Sequence, residues 1–150
     1  MGMYCEIRAI APDAEIGVRG APSDNKRSHS VSLEKAWHGL HYLLTGSAME
    51  GSWPLGFLLF GGEAVGEDDA ARRLSPDSVR ELNSALGAIS DDKIWSRFDA
   101  DKMTTDGVYP NIWDEPEQEL REEYLMYFHH LKQLIQLAAQ KGDALLISIG

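Results

Sequence analysis

Leu120-Arg-Glu-Glu-Tyr-Leu-Met-Tyr-Phe-His-His-Leu-Lys-Gln-Leu-Ile-Gln-Leu-Ala-Ala-Gln-Lys-Gly-Asp-Ala-Leu-Leu-Ile-Ser-Ile149 is the stretch that decides the fold. Its first part places Leu120, Tyr124, Tyr127, Phe128, Leu131, Leu134, Ile135 and Ala138 at the spacing of one helix face. Upstream, Asp114-Glu-Pro-Glu117 reads as a helix start, with Asp114 as N-cap, Glu at the third position and Pro inside the first turn. The spacing predicts a helix from about Glu115 to Lys141, stopped by Gly142. Met126, His130 and Leu137 widen the stripe to more than half the helix. A helix this apolar is expected to pack on two sides or to form a homo-oligomer interface. After Gly142 the pattern changes. Ala144-Leu-Leu-Ile-Ser-Ile149 is apolar on both faces, as a strand in the middle of a sheet should be.

The other end of the chain supplies a neighbour for that strand. Met3 to Ile10 alternates with a period of two: Met3, Cys5, Ile7 and Ala9 on one face, Tyr4, Glu6, Arg8 and Ile10 on the other. Both terminal strands are therefore expected in one small sheet, with the long helix packed across it and several shorter helices around it. That is an α+β fold, and residues 1–150 form a single domain. Between the strand and the next periodic segment, residues 11–31 hold two Pro, two Gly and many polar groups, and read as a loop that is unordered around Ser23–Ser30. A helix is expected from about Leu33 to Thr45, capped by Ser32 and stopped by Gly46, with the stripe Leu33, Trp37, Leu40, His41, Leu44. Phe57 to Phe60 reads either as a short strand or as the start of a buried loop. Ser75-Pro76-Asp77 opens a helix whose stripe is Val79, Leu82, Leu86 and Ile89. Ser90-Asp91-Asp92 caps a short one carrying Ile94, Trp95 and Phe98, and residues 99–113 look irregular.

Fourteen Lys and Arg against twenty-four Asp and Glu give a formal charge of −10. Nucleic-acid affinity needs clustered basic residues, and the longest basic clusters, such as Lys26-Arg27, hold two residues. Nucleic acid and anionic membranes are therefore not expected as partners. A basic protein or a small cationic ligand is compatible with the charge, and so is plain solubility. Two acidic concentrations stand out: Glu63-x3-Glu67-Asp68-Asp69, and Asp114 to Glu119 continuing into Glu122-Glu123. The apolar run Gly56 to Gly61 is far too short to span a bilayer. The lone Cys5 cannot form an internal disulfide, and Met1-Gly-Met-Tyr-Cys-Glu6 lacks the basic start of a signal peptide, so a cytoplasmic location is expected.

Few residues advertise chemistry. His38 and His41 lie three apart on the expected helix, a spacing that can bring two ligands to a metal, but no third or fourth ligand accompanies them. His41 also sits on the apolar stripe, where a buried histidine bonded to backbone is the simpler reading. His129 is expected in solvent and His130 beside the apolar face. Tyr109-Pro-Asn-Ile-Trp-Asp114 gathers two aromatics and an amide in an irregular segment. These residues could line a small-molecule pocket, or Pro110 could fix the loop while Trp113 closes the core edge. The glycines of Gly61 to Gly66 lack the spacing of a phosphate loop and read as tight turns. No Gly-x-Ser-x-Gly nucleophile motif is present. The candidate pocket is therefore Trp37, His38, His41, Tyr109, Asn111 and Trp113, with no catalytic residue named and neither metal nor cofactor expected.

Six segments carry a resemblance: Met1-Gly-Met with Glu6-Ile7, Lys35-Ala-Trp-His-Gly-Leu-His-Tyr-Leu-Leu-Thr-Gly46, Pro54-Leu-Gly with Phe60-Gly-Gly-Glu-Ala-Val-Gly66, Arg97-Phe-Asp-Ala-Asp-Lys-Met103, Val108-Tyr-Pro-Asn-Ile-Trp113, and Lys141-Gly-Asp-Ala-Leu-Leu-Ile147. In this order they resemble the YfbM-like family of bacterial domains of unknown function, over nearly the whole chain. The resemblance implies a single α+β domain and no activity. One departure is that relatives carry a short helix before the Trp-His-Gly helix, where Pro12 to Ser30 shows little helical pattern here. The preferred expectation is a non-enzymatic binding domain for a protein or a small ligand. The alternative is an enzyme with its pocket near the Trp37-His38-Gly39 helix.

Overall fold

In a computed structural model, which describes residues 2–17 and 29–150, the last strand takes the middle of the sheet. In chain order the strands are β1 (Cys5–Ile10), β2 (Ser30–Glu34), β3 (Glu63–Val65), β4 (Ala71–Leu74) and β5 (Ala144–Ile149). They run β2-β1-β5-β4-β3 across the sheet, every pairing antiparallel. The helices are α1 (Trp37–Thr45), α2 (Phe57–Phe60), α3 (Pro76–Gly87), α4 (Asp91–Trp95), α5 (Ala100–Thr105) and α6 (Glu117–Lys141). The α+β arrangement expected from the two terminal strands and the long helix is the one observed.

The alternation of β5 explains its place. Leu145 and Ile147 join Cys5, Ile7, Ala9, Leu33 and Leu74 in the main core with the helices. Ala144 and Leu146 join Ile10 and Ala71 in a smaller cluster on the opposite face, against which Ala14 and Ile16 pack. Each Leu or Ile side chain buried in this way is worth about 1.5–3 kcal/mol. The β1–β5 register pairs Ile7 with Ile147 and Ala9 with Leu145. Tyr4 and Gly150 extend the pairing with two further backbone hydrogen bonds, of 3.0 and 2.9 Å.

Helix α6 buries Leu120, Tyr124, Phe128, Leu131, Leu134, Ile135 and Ala138. Gly142, at φ +71°, ends it in the left-handed conformation that glycine adopts without strain. Two expectations for this helix need correction. It starts at Glu117 with Pro116 at the cap position and no side-chain cap, so Asp114 does not cap it. Its stripe is also narrower than expected: Met126 and His130 are exposed and Leu137 is half-buried. At about 100° per residue those three lie about 120° from the middle of the buried arc, beyond what one sheet covers.

Other segments differ from their sequence reading in informative ways. Residues 30–34 form β2, so Leu33 does not start a helix and Ser32 does not cap one. Leu33 fits a helical stripe with Trp37 equally well, and only Val31 and Leu33 mark the strand's period of two. Glu34, at φ +50°, breaks the chain between strand and helix. Ser30 is thus ordered within β2, while residues 23–28 of the expected loop lie outside the described residues. Phe57–Phe60 is neither strand nor loop but one turn of helix. Its carbonyl end is held by Arg72, whose guanidinium donates to Phe57 O at 3.0 Å, to Gly61 O at 2.6 Å and to Leu58 O. Residues 100–105 of the supposedly irregular stretch form α5, capped by the Asp99 side chain. The Ser75 and Ser90 caps are as expected, each accepting from the backbone N–H three residues on.

Leu131 is fully buried and Trp37 is 7% exposed. Leu131→Ala and Trp37→Ala are each expected to lower unfolding free energy by about 3 kcal/mol. Chemical denaturation checks this, and a loss under about 1 kcal/mol would mean that the emptied site collapses freely.

Candidate functional site

Helix α1 places its two histidines on the loop that follows it. His38 Nε2 lies 2.8 Å from Ala48 O, and His38 Nδ1 accepts the Tyr109 backbone N–H at 2.9 Å. An Nδ1 that accepts from an amide carries no proton, so the proton sits on Nε2 and is donated to Ala48. Both ring nitrogens are then occupied by backbone. His41 Nε2 lies 2.8 Å from Glu50 O. Its Nδ1 is buried and has no hydrogen-bond partner among the described residues. Burial, the dominant effect, pushes the His41 pKa below its ordinary 6.5, against the pull of the Glu50 carbonyl. The physical reason is plain: a protonated ring would bury an unpaired N–H, whereas the neutral ring leaves only a lone pair.

The aromatic residues form a second set of clamps. Trp37 stacks on His38 with ring centroids 5.3 Å apart, and Tyr109 lies 5.6 Å from Trp37. Trp37 Nε1 donates to Met3 O at 2.9 Å, and the Met3 N–H donates to the Tyr109 hydroxyl at 2.9 Å. Trp113 Nε1 donates to Val108 O at 2.8 Å and its ring meets Tyr124 at 5.5 Å. Gly39 lets this happen: a Cβ there would fall 2.6 Å from Tyr124 Cε2 and 2.7 Å from Trp113 Cη2. Asn111, at φ +65°, closes the Val108–Asn111 turn with its backbone and keeps its side chain exposed. Of the six candidate residues, Trp37, His38 and Tyr109 therefore come together. Trp113 packs behind them, Asn111 shapes the turn, and His41 stands apart beside Phe60.

What these clamps hold in place is a cleft of about 410 Å³ beside α6. Its walls are Tyr4, Glu34, Lys35, Ala36, Pro110, Ile112, Glu123, Tyr124 and Tyr127. Tyr4 follows the clamped Met3, and Pro110 and Ile112 belong to the loop between Tyr109 and Trp113. Tyr124 is only 2% exposed, yet its hydroxyl has no hydrogen-bond partner among the described residues. Burial first, then Glu123, Tyr127 and Glu115, push that hydroxyl well above its usual range, so it keeps its proton. Tyr127 is raised by burial and then by the charges of Glu123 and Glu34. Glu123 is itself raised, by burial and then by Glu115. Neither Glu34 nor Glu123 has a salt bridge among the described residues. The Lys35 ammonium instead lies 5.7 Å from the centre of the Tyr4 ring.

Among the described residues no three His, Cys, Asp or Glu side chains gather closely enough to hold a metal ion. No helix there is long and apolar enough to cross a membrane. Cys5 is fully buried, and burial pushes its thiol up to about 12, which leaves it an unreactive core residue.

The sequence model of a family described as "Domain of unknown function (DUF1877)" matches residues 1–148. The chain belongs to this family. A crystal structure similar in fold is that of YfbM from Escherichia coli, a protein of unknown function, with a TM-score of 0.74 at 16% identity. The likeness covers 98% of this chain and 99% of that one. No curated protein matches the sequence. Family membership thus accounts for the architecture and brings no activity with it.

Sequence reasoning found the clamps of this DUF1877 domain and missed the cleft that they frame. In the sequence Tyr4 falls on the strand face opposite Cys5 and Ile7, and Tyr124 and Tyr127 fall on the helix stripe. The available signal was chemical: a core stripe needs no hydroxyls, and two tyrosines three apart with Glu123 beside them mark a face that is only partly dry.

Two outcomes test the clamps. Replacing Gly39 by Ala would gain up to about 1 kcal/mol of helix propensity. The clash with two fixed rings should outweigh it at about 1–3 kcal/mol, so Gly39→Ala is expected to lower the denaturation midpoint. For His41, the folded pKa is depressed below 6.5. Below that pH the unfolded chain binds a proton that the folded chain refuses, so stability is full above it and falls as pH drops. His41→Gln is expected to flatten this part of the profile, measured as the shift in urea midpoint between about pH 7.5 and about pH 5.5.

Proposed function

We propose that this chain is a non-enzymatic binding domain whose contact site is the tyrosine-lined cleft between the β2–α1 junction and α6. The observation that carries this reading is the contrast in polar satisfaction. His38, Trp37 and Trp113 are committed to backbone groups. The Tyr124 hydroxyl and the Glu34 and Glu123 carboxylates, facing one cleft, have no protein partners among the described residues. Polar groups of buried residues are normally paired, so the unpartnered Tyr124 hydroxyl points to a ligand in the cleft, and the exposed carboxylates of Glu34 and Glu123 give the cleft its charge. The alternative, an enzyme with its pocket at the Trp37-His38-Gly39 helix, has less behind it. Both ring nitrogens of His38 are taken up by backbone groups, which leaves neither for a substrate.

The acidity expected to attract a partner divides in the same way. Glu117 and Glu119 lie in the first turn of α6, where they favour the helix dipole. Glu122 accepts from Gln118 Nε2 at 3.0 Å, outside the cleft. Glu123 alone of this run lines the cleft. A partner of opposite charge would be steered by the whole face and held by Glu123, with association that slows as salt rises.

Isotope-labelled protein titrated with a mixed set of cationic, anionic and neutral small molecules and short peptides tests the reading. At least one member is expected to move amide resonances of residues 34–36, 111–112 and 123–127 as a group. A set in which no member does so, or in which shifts gather elsewhere, would overturn the cleft as the binding site.

A further inference from the structure

We infer that the cleft is a receptor for an alkylammonium group, carried by a lysine side chain or by a small free amine. This rests on the reading of the cleft as the binding site and adds the chemical class of what it takes. Four features select that class. Tyr4 and Tyr127 present ring surface, whose negative face attracts a cation and gains nothing from an anion. Glu34 and Glu123 bring to the same walls two carboxylates that have no salt-bridge partner among the described residues, which repels anions and leaves a cation's charge compensated. Ala36, Pro110 and Ile112 supply apolar wall for the carbons next to the charged nitrogen. The Tyr124 hydroxyl, on a residue otherwise buried, is protonated and keeps its oxygen lone pairs free to accept an N–H from the ligand.

The cleft already contains one example of the interaction. Lys35 lines it and sets its ammonium 5.7 Å from the Tyr4 ring centre. No hydrogen bond or salt bridge to another described residue holds that ammonium in place. An incoming amine therefore competes with Lys35 for the same ring and the same two carboxylates. Lys35 lowers the affinity of the empty cleft for other cations, and removing its charge exposes the full site.

The test uses the full chain and four probes: butylammonium chloride, the peptide acetyl-Gly-Lys-Gly-amide, butanol as the neutral control, and butyrate as the anionic one. Binding is read from the amide resonances of residues 34–36, 111–112 and 123–127. Both amines are expected to shift them and both controls to leave them in place. Glu34→Gln and Glu123→Gln are exposed, nearly isosteric changes and should each weaken amine binding about threefold. Lys35→Met should tighten it about two- to fivefold. Thermal melts confirm that each variant is folded. Tighter binding of the peptide assigns the ammonium to a lysine of a protein partner, and tighter binding of butylammonium assigns it to a free amine. Butanol or butyrate binding as well as the amines would overturn the ammonium assignment while leaving the cleft a binding site. Amine binding unchanged by both glutamate variants, or weakened by Lys35→Met, would overturn it too. If no probe moves these resonances, the ammonium assignment falls. The binding-site reading falls with it only if the wider mixed set is also silent.

Discussion

Backbone hydrogen bonds tie β5 to β1 on one side and to β4 on the other, while its side chains enter an apolar cluster on each face. As the middle strand it joins the β2-β1 pair to the β4-β3 pair, and the placement of the remaining elements follows from it. The left-handed turn at Gly142 joins α6 to β5 with only Gly142 and Asp143 between them, so the helix must fold back over the sheet it has just left. Helix α6 then meets β1, β2 and α3 across that face, and α1 packs on α6 through the gap left at Gly39. The first and last strands are neighbours, so the sheet cannot be completed until both ends of the chain are in place. Contacts of such long sequence separation carry a high loop-closure cost, which the local helices α3 to α6 do not.

A second constraint shapes the connections. Loops that cross a core bring carbonyls with them, and a buried carbonyl left unpaired costs about 1–3 kcal/mol. This chain answers with long cationic and aromatic side chains. Arg72 gathers the carbonyls at the end of α2, Arg97 those of Leu43 and Leu44 at the end of α1, and Lys132 reaches Ile89 O at 3.0 Å. His38 and His41 hold carbonyls two residues apart, those of Ala48 and Glu50. Residues that look like chemistry in one dimension are, in three, donors for orphaned backbone. The spacing that could have offered two ligands to a metal suits two grips on one loop equally well.

The architecture was legible because it depends on periodicity. The alternation of β1, the two-faced apolarity of β5 and the stripe of α6 are repeated many times over, and each repeat buries area. The Ser75 and Ser90 caps were legible for a related reason, since their donors lie three residues away in sequence. What stayed hidden was short or non-local. Strand β2 shows its period through Val31 and Leu33 alone. Strands β3 and β4 hold three and four residues, and the second puts two arginines where a strand usually shows apolar side chains. The turn Phe57–Phe60 is apolar in a way that strand, helix and loop share, and it is helical because Arg72 caps its carbonyl end from another element. The candidate site divides likewise. Trp37, His38, Tyr109 and Trp113 were found because aromatic and imidazole side chains are conspicuous. The cleft was not, because Tyr4, Glu34, Glu123 and Tyr127 are brought together only by the pairing of the chain's two ends.

The difference between clamps and cleft is one of energy as well as place. Each clamp satisfies groups that folding would otherwise leave unpaired, so its presence is explained by stability alone. Glu123 is not explained in that way. It lies beyond the first turn of α6, where the helix dipole no longer favours an acid. Burial and Glu115 raise its pKa, so the folded chain holds its charged form less readily than the unfolded chain does. Ionised, it therefore works against folding at neutral pH. The Tyr124 hydroxyl likewise brings no hydrogen bond within the described chain to a site where a phenyl ring would pack as well. Local choices that oppose the fold are expected where a surface serves something other than the fold. Here two such choices share one wall with the ammonium of Lys35, the group whose charge would relieve them, and among the described residues that ammonium is held by nothing stronger than the face of a ring.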